Sequence, residues 1–222
     1  MHRHFFVGVD VPLVASDVFP GYDEMRELTT ALLQDSATLE LRPLPEERKL
    51  VVRIQNLAGH ALPSGATTDR ELWVELRITD ASGALVMESG TLDDNGDLRV
   101  DDPQRTTRPG SDPELVLYSQ RLYFDPALEE PPVTGTREPV DFLWQPNAEV
   151  SVLIPTGAGD ERSYDLSRLG PGTYRADARL LFRSFPPHLL RRLEREAGLD
   201  PEVAPRVPIV EMETGSVDIV FP

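Results

Sequence analysis

Apolar and polar residues alternate with a period of two in several separate stretches, the pattern of strands that bury one face and show the other to solvent. The most regular sets Leu72, Val74, Leu76 and Ile78 against Trp73, Glu75, Arg77 and Thr79, and it ends in a polar turn at 80–83. Leu39 and Leu41, then Leu50, Val52 and Ile54, predict strands over 37–42 and 49–56, joined as a hairpin by a turn at 43–47. A partner for the Leu72 stretch is expected at 84–88. Further strands are predicted over 114–124, with Val116, Tyr118, Leu122 and Phe124 on one face, and around Val150, Val152 and Ile154. Over 173–183, Tyr174, Ala176, Ala178, Leu180 and Phe182 alternate with Arg175, Asp177, Arg179 and Arg183, and Val217, Ile219 and Phe221 mark the last strand.

Helical spacing occurs twice. Met25, Leu28 and Leu32 share a face over 22–34, with Asp23 as its cap, and Leu189, Leu190, Leu193 and Ala197 form a stripe over 187–198. Pro187 suits the first turn of the second helix and Gly198 stops it. Residues 2–11 read as an extended segment with His2 and His4 on one side and Phe5, Val7 and Val9 on the other. The pattern therefore predicts a mainly β fold, a two-sheet antiparallel β-sandwich with two short helices. Residues 1–222 read as one domain, with 1–36 forming an extended segment and helix that pack on the sandwich or on a partner. The predicted core includes Leu50, Val52, Ile54, Val74, Leu76, Ile78, Val152, Ala178, Leu180 and Phe182.

Composition narrows the chemistry. A balance of 22 basic to 38 acidic residues gives a formal charge of -16, which repels phosphate backbones and anionic lipid, so nucleic acid is not an expected partner. The acidity favours cationic partners or simply keeps the surface solvated. There is no cysteine, which rules out disulfides, thiolate zinc, iron–sulfur ligation and thioether attachment of haem to this chain. No run approaches the roughly 20 apolar residues of a membrane-spanning helix, so no membrane span is expected.

Few residue groups can carry a reaction. A Gly-x-Ser-x-Gly nucleophile turn is absent, and Asp160 and Glu161 after Gly157-Ala158-Gly159 would repel a phosphate. The polar stretch 93–113 predicts a long loop. Within it Asp93, Asn95 and Asp97 are weak Ca²⁺ candidates, beside Asp94, Asp101 and Asp102; the alternative is a solvated turn. The EF-hand pattern fails there, because Leu98 replaces the sixth-position glycine.

The histidines are more informative. His60 sits on a stiff loop, where Gly59 permits close backbone approach, Pro63 fixes φ and Gly65 can adopt a positive φ. The plain reading is an imidazole bonded within its own turn. His188, beside two prolines, reads as a surface or capping residue. His2, His4 and His60 brought together would make a mononuclear Cu, Zn or Fe site, and hence a small metal-dependent enzyme.

The run Gly59-His60-x-x-Pro63-Ser64-Gly65, followed by Arg70, Leu72-Trp73, Asp80-Ala81-x-Gly83 and Ser89-Gly90, resembles the β-rich C-terminal region of bacterial multihaem c-type cytochromes. The stretches HRHFFVGVD at 2–10 and LLFRSFPPHLLRRLE at 180–194 agree with it. The family's Cys-x-x-Cys-His attachment motif is absent. The resemblance implies a non-catalytic accessory or haem-covering domain of an electron-transfer assembly. Its haem c would be supplied by a partner chain or a missing N-terminal region, with a cytochrome or other electron-transfer protein as partner. It also implies a periplasmic or extracellular setting, His60, His4 and His2 as axial-ligand candidates, and Gly59, Pro63, Ser64, Gly65 and Arg70 as the motif loop. An extracytoplasmic β-sandwich that binds a protein or glycan remains the alternative.

Overall fold

A computed structural model of the chain describes residues 8–10, 13, 14, 18, 20–65, 68–100, 111–129, 135, 138–140 and 146–222. His2, His4, Phe5, Val7, Asp101 and Asp102 lie outside the described residues. Helix α1 spans Tyr22–Gln34 and α2 spans Pro187–Ala197. The strands are β1 (Ala37–Leu44), β2 (Lys49–Asn56), β3 (Glu71–Asp80), β4 (Leu85–Ser89), β5 (Val116–Phe124), β6 (Glu138–Val140), β7 (Ala148–Val152), β8 (Gly159–Asp165), β9 (Gly172–Arg183) and β10 (Val210–Phe221).

The strands form two antiparallel sheets. One has the order β1-β2-β8, and the other runs β10-β9-β3-β5-β6, with β4 also on β3 and β7 also on β5. Strand β9 takes one edge of β3 along its whole length, from Glu71↔Arg183 to Asp80↔Tyr174. The other edge must then be shared. Strand β5 holds it at Leu72–Val74 and β4 holds it from Leu76 onward. Gly90 sits at the handover with φ 69°, and a Cβ there would lie 2.0 Å from the carbonyl oxygen of Val74, so only glycine fits.

The alternation in β3 places side chains as the sequence predicts. Leu72, Val74, Leu76 and Ile78 join Leu50, Val52 and Ile54 of β2 and Ala176, Ala178, Leu180 and Phe182 of β9 in the core between the sheets. Trp73 points to the opposite face, where it packs with Leu98, Val100, Leu117 and Leu181. The stretch after 93 is thus not wholly a solvated loop, since Leu98 and Val100 bury themselves over the outer face of β3. The guanidinium of Arg183 stands 5.2 Å from the Trp73 ring centroid and pairs with Glu71 at 2.5 Å, both side chains buried.

Several sequence expectations need correction. Val152 is exposed rather than in the core, because β7 pairs with the outlying half of β5; Val150 is exposed with it. Ile154 is fully buried and bridges Leu62 instead of extending β7. Strand β8 is an element the pattern does not predict, since GDERSYD carries only one apolar anchor, the buried Tyr164. The last strand begins at Val210, seven residues before Val217, with an irregularity in its register between Glu211 and Glu213. In α1 the cap is Gly21 rather than Asp23, which lies in the first turn, where its charge suits the helix dipole. Its buried residues are Tyr22, Thr29 and Leu33, while Leu32 stands out to solvent.

Candidate functional site

Strand β2 ends at Asn56, whose buried side chain organises the turn that follows. Its amide nitrogen donates to the carbonyls of His60 (2.8 Å), Ile154 (2.9 Å) and Pro155 (3.1 Å), and its Oδ1 accepts from the N–H of Ala58 at 2.8 Å. One side chain therefore satisfies four backbone groups and fixes both the His60 turn and the chain beside Ile154. Leu62 adds reciprocal backbone bonds with Ile154 at 2.9 and 2.8 Å. The Leu62–Pro63 peptide bond is cis, and Gly65 adopts φ 74°.

The second half of the loop closes on Arg70, at the start of β3. Its guanidinium donates to the carbonyl oxygen of Ser64 and to Asp10 Oδ2 at 2.8 Å. A Cβ on Gly65 would meet Arg70 Nη1 at 2.3 Å, so the absent side chain at Gly65 is the space the arginine occupies. Gly65 and Arg70 belong together as a glycine and the cation packed against it.

His60 is exposed at the rim of this scaffold. Its Nδ1 lies 3.2 Å from the carbonyl oxygen of Ala61. A carbonyl only accepts, so Nδ1 is the donor in that contact, and the neutral ring then keeps its lone pair on Nε2. Nε2 has no hydrogen-bond partner among the described residues. Metal-ligating histidines commonly have this arrangement, with one nitrogen tied to a carbonyl and the other open. Beside the imidazole is a cavity of ≈ 260 Å³, walled mainly by Val9, Leu33, Leu62, Leu72, Phe182 and Met212. Leu32 and Leu57, at its mouth, are 42% and 56% exposed.

The acidic stretch forms a different kind of site. Asp93 Oδ1 accepts from the backbone N–H groups of Asn95 (2.8 Å) and Asp97 (2.9 Å). Asp97 is buried and turns to α2, where it accepts from the N–H of His188 at 3.0 Å and pairs with Arg191. Pro186 provides no side-chain cap for α2, so Asp97 caps the helix from a distant loop. Burial pushes the Asp97 carboxyl above its ordinary value, with the Arg191 hydrogen bond opposing. Among the described residues, no three His, Cys, Asp or Glu side chains gather to hold a metal ion.

Sequence reasoning missed Asn56 as the organiser of the loop; a polar residue ending an apolar strand was the available signal. Tyr118 reads in the sequence only as an apolar-face residue of its strand; its hydroxyl donates to Asp160 Oδ2 at 2.7 Å and is pushed well above the usual phenol range by burial and that carboxylate.

No protein-family model matches the chain, and no curated protein does. Among solved structures, the chain is similar to a penta-haem cytochrome c552 from Thermochromatium tepidum, with a TM-score of 0.51 and 23% identity. The match covers 86% of this chain and 41% of the cytochrome, so the chain spans about two fifths of that protein's length. At this identity the likeness concerns the fold.

Proposed function

We propose that this chain is a non-catalytic domain of a multihaem electron-transfer assembly, and that His60 supplies an axial imidazole to a haem c carried by another polypeptide or by a further part of the same one. A periplasmic or extracellular setting belongs to the same proposal. The observation that carries it is an exposed imidazole, fixed through Nδ1 and without a partner at Nε2 among the described residues, beside a cavity lined by apolar side chains together with Asp35, Ser36 and Arg70.

A protein-bound zinc or copper ion needs three or four side-chain ligands, and His2 and His4, which would join His60 in such a site, lie outside the described residues. Haem iron already has four porphyrin nitrogens, so one imidazole from this chain and one ligand from the haem-bearing chain complete it. When bound, the haem would supply a one-electron couple. This chain's residues would hold and shield it: Asn56 fixes the turn, Ala61 orients the ring, and Arg70 braces Ser64 and Gly65. The structural likeness to a penta-haem cytochrome supports the same reading at the level of fold.

The test uses a ferric haem c undecapeptide that carries its own histidine and leaves the sixth position open. In a variant with His2, His4 and His188 changed to Ala, His60 is the only one of the four histidines left. That variant is expected to convert the peptide from high-spin to low-spin with 1:1 stoichiometry. Adding His60→Ala is expected to abolish the conversion. The same titration with and without His60 would overturn the proposal.

A further inference from the structure

Residues 8–10 belong to neither sheet, and among the described residues no backbone–backbone hydrogen bond reaches them. Polar side chains from three separate elements hold them instead. Thr29 Oγ1 of α1 donates to the carbonyl oxygen of Gly8 at 3.1 Å, and Ser184 Oγ, just after β9, donates to that of Val9 at 3.2 Å. Arg70 Nη2, just before β3, donates to Asp10 Oδ2 at 2.8 Å. Thr29, Ser184 and Arg70 are 2%, 8% and 9% exposed, whereas Gly8 and Asp10 stand out to solvent. Buried polar groups take hydrogen-bond partners, and all three direct a bond at the same peripheral segment. Val9 packs against the core and bounds the ≈ 260 Å³ cavity.

We infer that Thr29, Ser184, Arg70 and the cavity form a recognition site for an extended peptide with an apolar residue followed by an acidic one, filled in this structure by Val9 and Asp10 as an intramolecular ligand. Each contact reads a different feature. The two hydroxyls read successive main-chain carbonyls, the cavity reads an apolar side chain, and the guanidinium reads the carboxylate of the next residue, the division between main chain and side chain that peptide grooves use. The partner is a protein that presents this pair on an extended segment. It displaces residues 8–10 and takes over the same bonds, carbonyl for carbonyl and carboxylate for carboxylate. A free amphipathic carboxylate would satisfy the cavity and Arg70 but would leave two buried hydroxyls without their acceptors, which disfavours it. The inference does not depend on the role proposed for His60.

The experiment uses the full chain and a fluorescein-labelled peptide of residues 5–13, FFVGVDVPL, followed by anisotropy. In the unaltered chain the tethered segment competes at an effective concentration on the order of millimolar, so little peptide binds. A chain with Val9→Ser and Asp10→Asn has a weakened tethered segment and an intact receiving site, and it is expected to bind the peptide at least about tenfold more tightly. Against that chain, the peptide with Asp10→Asn should bind roughly tenfold more weakly than the parent peptide, and adding Arg70→Met to the chain should erase the difference. Octanoate at the same concentration should not displace the peptide. If the double variant does not unfold cooperatively in urea, Asp10→Asn alone decides the matter, since it changes one exposed side chain and should also bind the peptide more tightly than the unaltered chain. Equal binding by altered and unaltered chains, equal binding of the Val-Asp and Val-Asn peptides, or displacement by octanoate would overturn the inference.

Discussion

Asn56 is the residue on which the presentation of His60 depends. Its amide nitrogen donates to the carbonyls of His60, Ile154 and Pro155, which come from two separate stretches of the chain. Asn56→Ala is expected to cost about 1–3 kcal/mol in urea unfolding and to weaken low-spin conversion of the haem peptide. Asn56→Asp should be worse, because it sets a carboxylate oxygen against carbonyl oxygens where a donor stood. Equal stability in Asn56→Ala and its parent would show that the turn is held by other bonds. The components of this site were unevenly legible. Pro63 and Gly65 announce a stiff turn by residue type alone, whereas Gly59, expected to permit close backbone approach, has open space around it, and Arg70 enters only through the resembling motif until its guanidinium is found in the space Gly65 leaves. Asn56 was hidden because its partners at Ile154 and Pro155 are about a hundred residues away in sequence.

The clearest test among the elements is the docking of α2. Its N-terminus is capped by Asp97 from another loop, and Arg191 one turn further along pairs with the same carboxylate. Arg191→Ala leaves a buried carboxylate without its counter-charge and is expected to cost about 2 kcal/mol at neutral pH, Arg191 being itself about one third exposed. The folded state binds the Asp97 proton more tightly than the unfolded chain does. This group's contribution to stability therefore falls as pH rises from the ordinary carboxylate value through the raised one. In Arg191→Ala the deficit should shrink as the solution is acidified through that window, because a neutral carboxyl needs no partner. Urea midpoints measured between about pH 7 and pH 4 check this, and a deficit independent of pH would refute it. Strands were legible where one face was apolar, as in β3 and β9. They were hidden where the sheet buried a single residue, as with Tyr164 in β8, or where the ladder was irregular, as between Glu211 and Glu213 in β10. Val152 shows the converse failure: its alternation is that of a buried strand, but β7 lies on the part of β5 that has left the sandwich, and no sequence pattern marks that departure.

For the molecule as a whole, the two sheets and the core between them followed from periodicity, while the sharing of one edge of β3 by β4 and β5 did not, because it depends on a glycine's lack of a side chain at Gly90. That shared edge means β5 is anchored to β3 through three residue pairs, Leu72↔Tyr118, Trp73↔Leu117 and Val74↔Val116, against ten for β9. Beyond Tyr118 the chain departs, and it returns at Val152, which is the direct partner of Ser119. The excursion therefore begins and ends at one rung of a ladder, with its two ends roughly 5 Å apart. In topological terms it is a cassette that can be lifted out without rethreading the remainder. Replacing residues 120–151, which include Trp144, with an Asn-Gly turn should leave a chain that still unfolds cooperatively, with Trp73 fluorescence near that of a full-length Trp144→Phe chain. Loss of cooperative unfolding would show that the excursion is part of the sandwich. If the cassette can be exchanged, the sheets that hold the His60 turn and the excursion from β5 are separable parts of one fold, and the length of the second can change without altering the first.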